Sequence, residues 1–206
     1  MNIDNLTTFM ITALFFIMTP GIDTFFVLDK SINQGIKSGL YATLGINTGI
    51  IAHTLFTAIG LSTLLAASTF IFTCIKILGA AYLIHLGYTK YNNRTPHTKK
   101  VPLTSKHSTK NDFWSGCITN VLNPKVALFF LAFFPQFVAP NELDKPIPFL
   151  VLGLTYAIIG IVWYSILTLF AGSFNQKLLE NPYYLHWLNK LSGIVMIVLG
   201  LKIAIS

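Results

Sequence analysis

The chain has 206 residues, 53% of them hydrophobic and only 10% charged, with a mean hydropathy of +0.65. A soluble domain of this length carries about a quarter charged residues, so the composition points to a membrane protein. The net charge of +7 does not indicate nucleic acid, because the basic residues are interspersed with Thr, Asn and His and lack an aromatic platform.

Hydropathy predicts six segments of roughly 20 residues or more, enough to span a bilayer. They lie near 6–28, 39–66, 69–89, 113–138, 148–172 and 185–205. The start, Met1-Asn2-Ile3-Asp4, has no basic region of the kind that opens a signal peptide, so the first segment is expected to be retained. That segment contains Met18-Thr19-Pro20-Gly21-Ile22-Asp23. Proline removes a backbone donor and frees a carbonyl. In lipid a break of this kind is tolerated only where it is buried in protein or lines a wet cavity. Asp23, the only carboxylate inside the six segments, costs roughly 2.5 kcal/mol or more in hydrocarbon and should face the bundle interior. It could relay a proton or cation, anchor a substrate amine, or cap the helix that restarts after the break.

The second segment carries Gly45, Gly49 and His53 at i, i+4 and i+8, an edge of small residues suited to close helix packing. His53 continues that edge inward, as a proton-coupling candidate or as a hydrogen-bonded packing residue. Asn47 marks another face of the same helix. The third segment holds Lys76, near enough to an end to snorkel, and His85. Cys74 and Cys117 both sit in apolar stretches, so neither a disulfide framework nor a metal site is expected.

The fourth segment repeats the break of the first, as Leu122-Asn123-Pro124-Lys125. Superposing Pro20 on Pro124 also superposes Phe25-Phe26 on Phe129-Phe130. Lys125 stands twelve residues from both Phe113 and Phe137, so roughly 18 Å of helix would separate it from either end. That is too far for a lysine stem to reach water, so Lys125 needs an internal partner. Asp23 and a substrate carboxylate are the candidates, with a purely structural ion pair as the alternative. Asn123 offers donor and acceptor beside it, and Asn120 and Gln136 bracket the break. In the fifth segment Tyr156, Trp163 and Tyr164 read as packing or interface aromatics, with a substrate cage as the alternative.

Lys30, Lys37, Lys90, Arg94, Lys99, Lys100, Lys106, Lys110, Lys177 and Lys190 fall in or beside the links after segments one, three and five. By the positive-inside rule those links are cytoplasmic, and both termini lie outside. Three spans per half force any structural repeat to be inverted. The expected fold is therefore an all-α integral membrane protein of six transmembrane helices. Residues 1–91 and 113–206 form two inverted three-helix repeats joined by a basic cytoplasmic linker, 92–112, with helices 1 and 4 broken at Pro20 and Pro124. Broken helices in matching positions of two halves are the sequence pointer to a transporter's midplane site.

No Gly-Lys-Ser/Thr phosphate loop is present, so direct ATP drive is not expected. No His-Glu-x-x-His or Gly-x-Ser-x-Gly pattern suggests an intramembrane hydrolase. No cofactor is implied, and the energy source should be an ion gradient.

The run Asn123-Pro124-Lys125-Val126-Ala127-Leu128-Phe129-Phe130, with Pro135-Gln136-Phe137, resembles the signature of the lysine exporter (LysE) family, in particular its homoserine/threonine-resistance branch. Gly79-Ala80-Ala81-Tyr82-Leu83-Ile84-His85-Leu86-Gly87 and Gly45-Ile46-Asn47-Thr48-Gly49-Ile50-Ile51-Ala52-His53 are similar to that branch's third and second helices. The family's Pro-Gly-Pro motif appears here as Pro20-Gly21-Ile22-Asp23, without the second proline. The resemblance implies a bacterial inner-membrane exporter of amino acids or close derivatives, homoserine- or threonine-like, exchanging for protons by alternating access and not an enzyme. Its transport pathway would comprise Asp23, Asn47, Asn123, Lys125 and Gln136, with helix breaks at Pro20, Gly21 and Pro124. Asp23 and His53 would be the proton-coupling candidates. Partners would be the substrate, protons, the lipid bilayer and, in an admissible assembly, a second copy. Export of another small polar solute or a cation, or a non-transporting membrane enzyme or scaffold, are the rival readings.

Overall fold

The computed structural model describes residues 6–61, 69–92, 109–171 and 182–205. The described residues are almost entirely helical, and no β-strand occurs among them. Helix α1 (Leu6–Met18) stops before Pro20, and α2 (Ile22–Gln34) leaves at 57° to it. Gly35, at φ +90, then turns the chain into α3 (Ile36–Phe56), a backbone conformation that favours glycine. One π-helical turn (Thr57–Leu61) extends α3. Helix α4 covers Thr69–Asn92. Helix α5 (Thr109–Val121) and the five-residue α6 (Pro124–Leu128) flank the second break. Beyond α6 the chain tightens into a π turn (Phe129–Phe133) and a 3-10 turn (Phe134–Phe137). The two arms of this second pair are bent by 48°. Helix α7 spans Pro146–Phe170 and α8 Pro182–Ile205.

Among the described residues, helices lie within each of the expected segments. Over the described residues, α3 with its π turn and α7 are long and apolar enough to cross a bilayer, and each bent pair passes the same test if counted as one span. The links at 62–68, 93–108 and 172–181, and with them most of the basic linker, lie outside the described residues. The chain around Lys125 is not the straight helix assumed in estimating its depth. The bend at Asn123 and the π and 3-10 turns replace one continuous cylinder.

Phenylalanine supplies most of the largest fully buried side chains. Phe129, Phe130, Phe133 and Phe134 are fully buried, stacking Phe129 on Phe16 of α1 at 4.0 Å and Phe130 on Phe134 at 4.1 Å. Tyr156 of α7 meets Phe129 and Phe130 at 5.2 and 5.4 Å. The irregular turns after Pro124 are therefore wedged into the protein interior, where the freed backbone is shielded from lipid. The exterior is apolar instead, with Leu122, Ile158 and Trp187 all exposed. A bilayer solvates such a surface, which in water would associate.

Small residues set the helix spacing. The edge expected on α3 packs on α5: a Cβ on Gly45 would collide with the Phe113 carbonyl, and one on Gly49 would lie 2.6 Å from Asn120 Oδ1. From the other side a Cβ on Gly116 would come within 2.7 Å of the Ala42 carbonyl. Backbones approach this closely only where side chains are absent. Helices α4 and α8 likewise meet through Gly87 and Gly193.

Candidate functional site

Each proline deprives the carbonyl four residues earlier of its helical donor. For Pro20 that carbonyl belongs to Phe16, and Lys125 Nζ donates to it at 2.9 Å. The same ammonium donates to the Thr19 carbonyl at 3.0 Å and lies 4.4 Å from the centre of the Phe16 ring. Lys125 so sits on the carbonyl end of α1, where the helix dipole favours a cation. For Pro124 the orphaned carbonyl is that of Asn120. It accepts from the Asn123 backbone at 2.9 Å and faces His53 Nε2 at 3.2 Å. A carbonyl can only accept, so Nε2 is the protonated nitrogen of His53 in this contact. The two breaks are thus secured alike, each by a nitrogen-bearing side chain from a different helix.

Asp23 lies in the first turn of α2 and is buried. It does not cap that helix: the N-cap is Gly21, which has no side chain to offer. The capping role belongs instead to Asn123, whose Oδ1 accepts from the Lys125 backbone at 3.0 Å. Asp23 Oδ2 accepts from Asn120 Nδ2 at 2.8 Å across the α2–α5 contact. Asp23 Oδ1 and Asn120 Oδ1 are buried without a hydrogen-bond partner. Asn123 adjoins the same carboxylate, and Lys125 and His53 are close enough to act on it electrostatically. Tyr156 and Tyr164 of α7 lie within range of its charge.

Asp23, Lys125, Asn123 and His53 therefore converge at the breaks with Pro20, Gly21 and Pro124. Lys125 Nζ would stand 3.6 Å from a Cβ placed on Gly21. Asn47 is elsewhere on α3, donating to the Thr43 carbonyl at 2.8 Å with its Oδ1 turned to Gly160 of α7. Gln136 donates to the Ala132 carbonyl at 3.2 Å in the 3-10 turn. No hydrogen bond links either of them to Asp23, and each keeps a buried oxygen without a partner. The side chain of Lys76 lies outside the described residues, and His85 is exposed.

Sequence reasoning left two groups out of the site. The sequence places Asn120 only as bracketing the second break, yet it holds Asp23 with its side chain and meets His53 with its carbonyl. Asp112 was assigned to the linker, but it is buried in the first turn of α5, so Asp23 is not the only carboxylate within the helices. Lys30 Nζ pairs with Asp112 at 2.7 Å and Ser38 donates to it at 2.8 Å. This clasp ties α2 and α3 to α5. Among the described residues no cluster of His, Cys, Asp or Glu is suited to a metal ion.

The profile of the LysE type translocators matches residues 14–206. The chain is 31% identical to an uncharacterized membrane protein of Vibrio cholerae, over 99% of this chain and 98% of that protein. It is 30% identical to the leucine efflux protein of Klebsiella pneumoniae, over 97% and 94%. It is 28% identical to an uncharacterized membrane protein of Bacillus subtilis, over 98% and 99%. No solved structure matches. A family match over nearly the whole length, on a helical chain with two broken apolar segments, leads to one assignment: this membrane protein belongs to the LysE-type translocator family.

Proposed function

We propose that the protein exports small neutral amino acids, from the homoserine and threonine class up to leucine, across a bacterial inner membrane in exchange for protons. The observation that carries this reading is the buried Asp23 at the meeting of two bent helix pairs, within a chain of a translocator family. Half-helices that end near mid-membrane offer polar backbone and side-chain groups to a substrate without exposing them to lipid. Asp23 takes the substrate ammonium, and Lys125 with Asn123 faces the carboxylate across the breaks. Asn47 and Gln136, each with a partnerless buried oxygen, serve the pathway on either side. The leucine efflux relative supports an apolar side chain in the substrate, and the sequence signature supports a hydroxylated one. Six spans in two inverted repeats, with both termini outside, complete the proposal.

Efflux from cells preloaded with a panel of amino acids, with and without an uncoupler, tests it. Faster loss of leucine, threonine or homoserine than from cells carrying Asp23→Asn, abolished by the uncoupler, is the expected result. Efflux no faster than from cells lacking the protein, for every amino acid, would reject amino-acid export, and efflux equal in wild type and Asp23→Asn would reject the role of Asp23. Efflux indifferent to the uncoupler would reject the exchange for protons.

A further inference from the structure

We infer that Asp23 and Asn120, seated on Gly49, form one cation subsite in which a proton and the substrate ammonium exclude each other at Asp23 Oδ1. The inference rests on the export reading above and assigns its exchange to a single oxygen.

The geometry starts from the carboxamide. A carboxylate oxygen can only accept, so the 2.8 Å contact to Asp23 Oδ2 fixes Nδ2 as the atom of Asn120 that faces Asp23. Both groups are buried, Asp23 at 5% exposure and Asn120 at 0%. The amide lies against the α3 backbone, where a Cβ on Gly49 would come within 2.6 Å of Oδ1 and 2.7 Å of Asn120 Cβ. Only glycine at that position leaves room for the amide to lie there. Below it, the Asn120 carbonyl is engaged by Asn123 N and His53 Nε2. Asn120 is therefore held on three sides and presents its N–H to one oxygen of Asp23.

The other oxygen, Oδ1, is buried and makes no hydrogen bond, although the Asn123 side chain lies beside the same carboxylate. Buried polar atoms are seldom left so, and an exception calls for a ligand or a proton. Every unsatisfied atom of this pair is an acceptor, so the missing species is a donor. Two donors are available to an exporter of this kind, a proton and a primary ammonium. One oxygen cannot hold both: with the proton bound it donates, and without it Oδ1 accepts an N–H from the substrate. Binding of the ammonium from the cytoplasmic side then requires the proton to leave to that side, and reprotonation from outside releases the substrate there. Exchange follows from exclusion at one atom, with no communication between separate sites needed.

Beside the neutral Asn120 and Asn123, charged and titratable groups from three elements act on this carboxylate. They are Lys125 of α6, His53 of α3, and Tyr156 and Tyr164 of α7. Lys125 and His53 act as donors at the two break carbonyls, which leaves Asp23 as the acceptor for the ammonium of the cargo.

The test is proton release on ligand binding, followed with an indicator dye on the purified protein in weak buffer. Leucine, threonine, 3-methylbutylamine and N-acetylleucine are the probes, with binding measured in parallel calorimetrically. Wild type should release protons with leucine or threonine and also with the amine, and none with the N-acetyl compound, which lacks the ammonium. Asp23→Asn should abolish release. His53→Gln, which keeps an N–H for the Asn120 carbonyl, should not. Asn120→Ala and Gly49→Ala should displace the pH midpoint of release by about one unit, the effect of one charge-assisted hydrogen bond lost or distorted. If Asn120→Ala fails to fold, Gly49→Ala carries the same readout with every polar group intact. Amino-acid binding without proton release between pH 5 and 8, or release lost in His53→Gln and kept in Asp23→Asn, would overturn the subsite while leaving export standing. Failure of both leucine and threonine to bind would remove the export reading along with it.

Discussion

Replacing Lys125 with Met keeps the apolar stem and removes only the ammonium. Two charge-assisted hydrogen bonds then disappear, to the Phe16 carbonyl at 2.9 Å and the Thr19 carbonyl at 3.0 Å. Bonds to a charged group contribute about 1.5–3 kcal/mol each, and the contact with the Phe16 ring adds about 0.5–2 kcal/mol. Against this stands the relief of no longer burying a cation, which offsets part of the loss. Phe16 cannot recover its usual helical donor, because residue 20 is proline. A net loss near 3 kcal/mol is the expected balance. For a chain of 206 residues, each kcal/mol moves the midpoint by about 2–4 °C, so Tm should fall by about 6–12 °C. Fluorescence-detected size-exclusion chromatography after heating, in one detergent throughout, measures it. Lys125→Arg should recover part of the loss, since the guanidinium still donates but in a planar fork. A Tm for Lys125→Met within about 2 °C of wild type would show that the carbonyl end of α1 does not depend on this lysine.

The counterpart at the other break should be milder. The Asn120 carbonyl keeps the Asn123 donor, so His53→Leu should cost about 0.5–1.5 kcal/mol, and His53→Gln should retain efflux; complete loss of efflux in well-folded His53→Gln would place the histidine on the proton path. Gly45→Ala should destabilise by about 1–3 kcal/mol, because its Cβ meets the Phe113 carbonyl and backbone must move; an unchanged Tm would contradict the close α3–α5 packing. Outside the helices, the hydrogen bond from Lys145 holds the Glu142 carboxyl below its ordinary value and raises Lys145. Such a contribution is present above the unfolded carboxyl's pKa and lost as pH falls through the lowered folded one. Because Lys145 is solvated and Glu142 half-buried, screening keeps the pair weak: Lys145→Met should leave the acid limb of a Tm–pH profile superimposable on wild type, and a displaced limb would give this pair a larger role. A single cysteine at position 104, in a chain lacking Cys74 and Cys117, should resist impermeant maleimide in intact cells and react after permeabilisation; ready labelling from outside would invert the proposed topology.

What the sequence revealed of the site was set by backbone chemistry. Pro20 and Pro124 cannot donate, so both breaks could be placed to within a residue, and the stripe of Gly45, Gly49 and His53 foretold the helix face that meets α5. The partners of Lys125 were harder to see. Symmetry between the halves suggested a carboxylate, whereas the ammonium bonds to carbonyls, which are the same at every residue. Counting four residues back from Pro20 would have pointed to Phe16. Asn120 escaped for another reason: its importance comes from α5 lying against both α2 and α3, and no local pattern states which helices become neighbours. Asp112 falls just outside the expected segment, which begins at 113 whereas the helix begins at Thr109, because a carboxylate near Lys110 reads as linker until Lys30 and Ser38 are brought to it.

The long reach of these contacts bears on how the protein is made. The carbonyls at the end of α1 wait for a lysine that follows by 109 and 106 residues, and Asp23 waits for an amide 97 residues later. At ribosomal speeds of about 5–20 residues per second, the first helices stay incomplete for roughly 5–20 s after synthesis. During that interval the broken end of α1 and the buried carboxylate must remain near water or within the insertion machinery, since lipid would leave them unsatisfied. The N-terminal half is thus a chain that enters the membrane in order but matures only when the second break arrives. Separately expressed halves should be degraded alone and rescued when produced together.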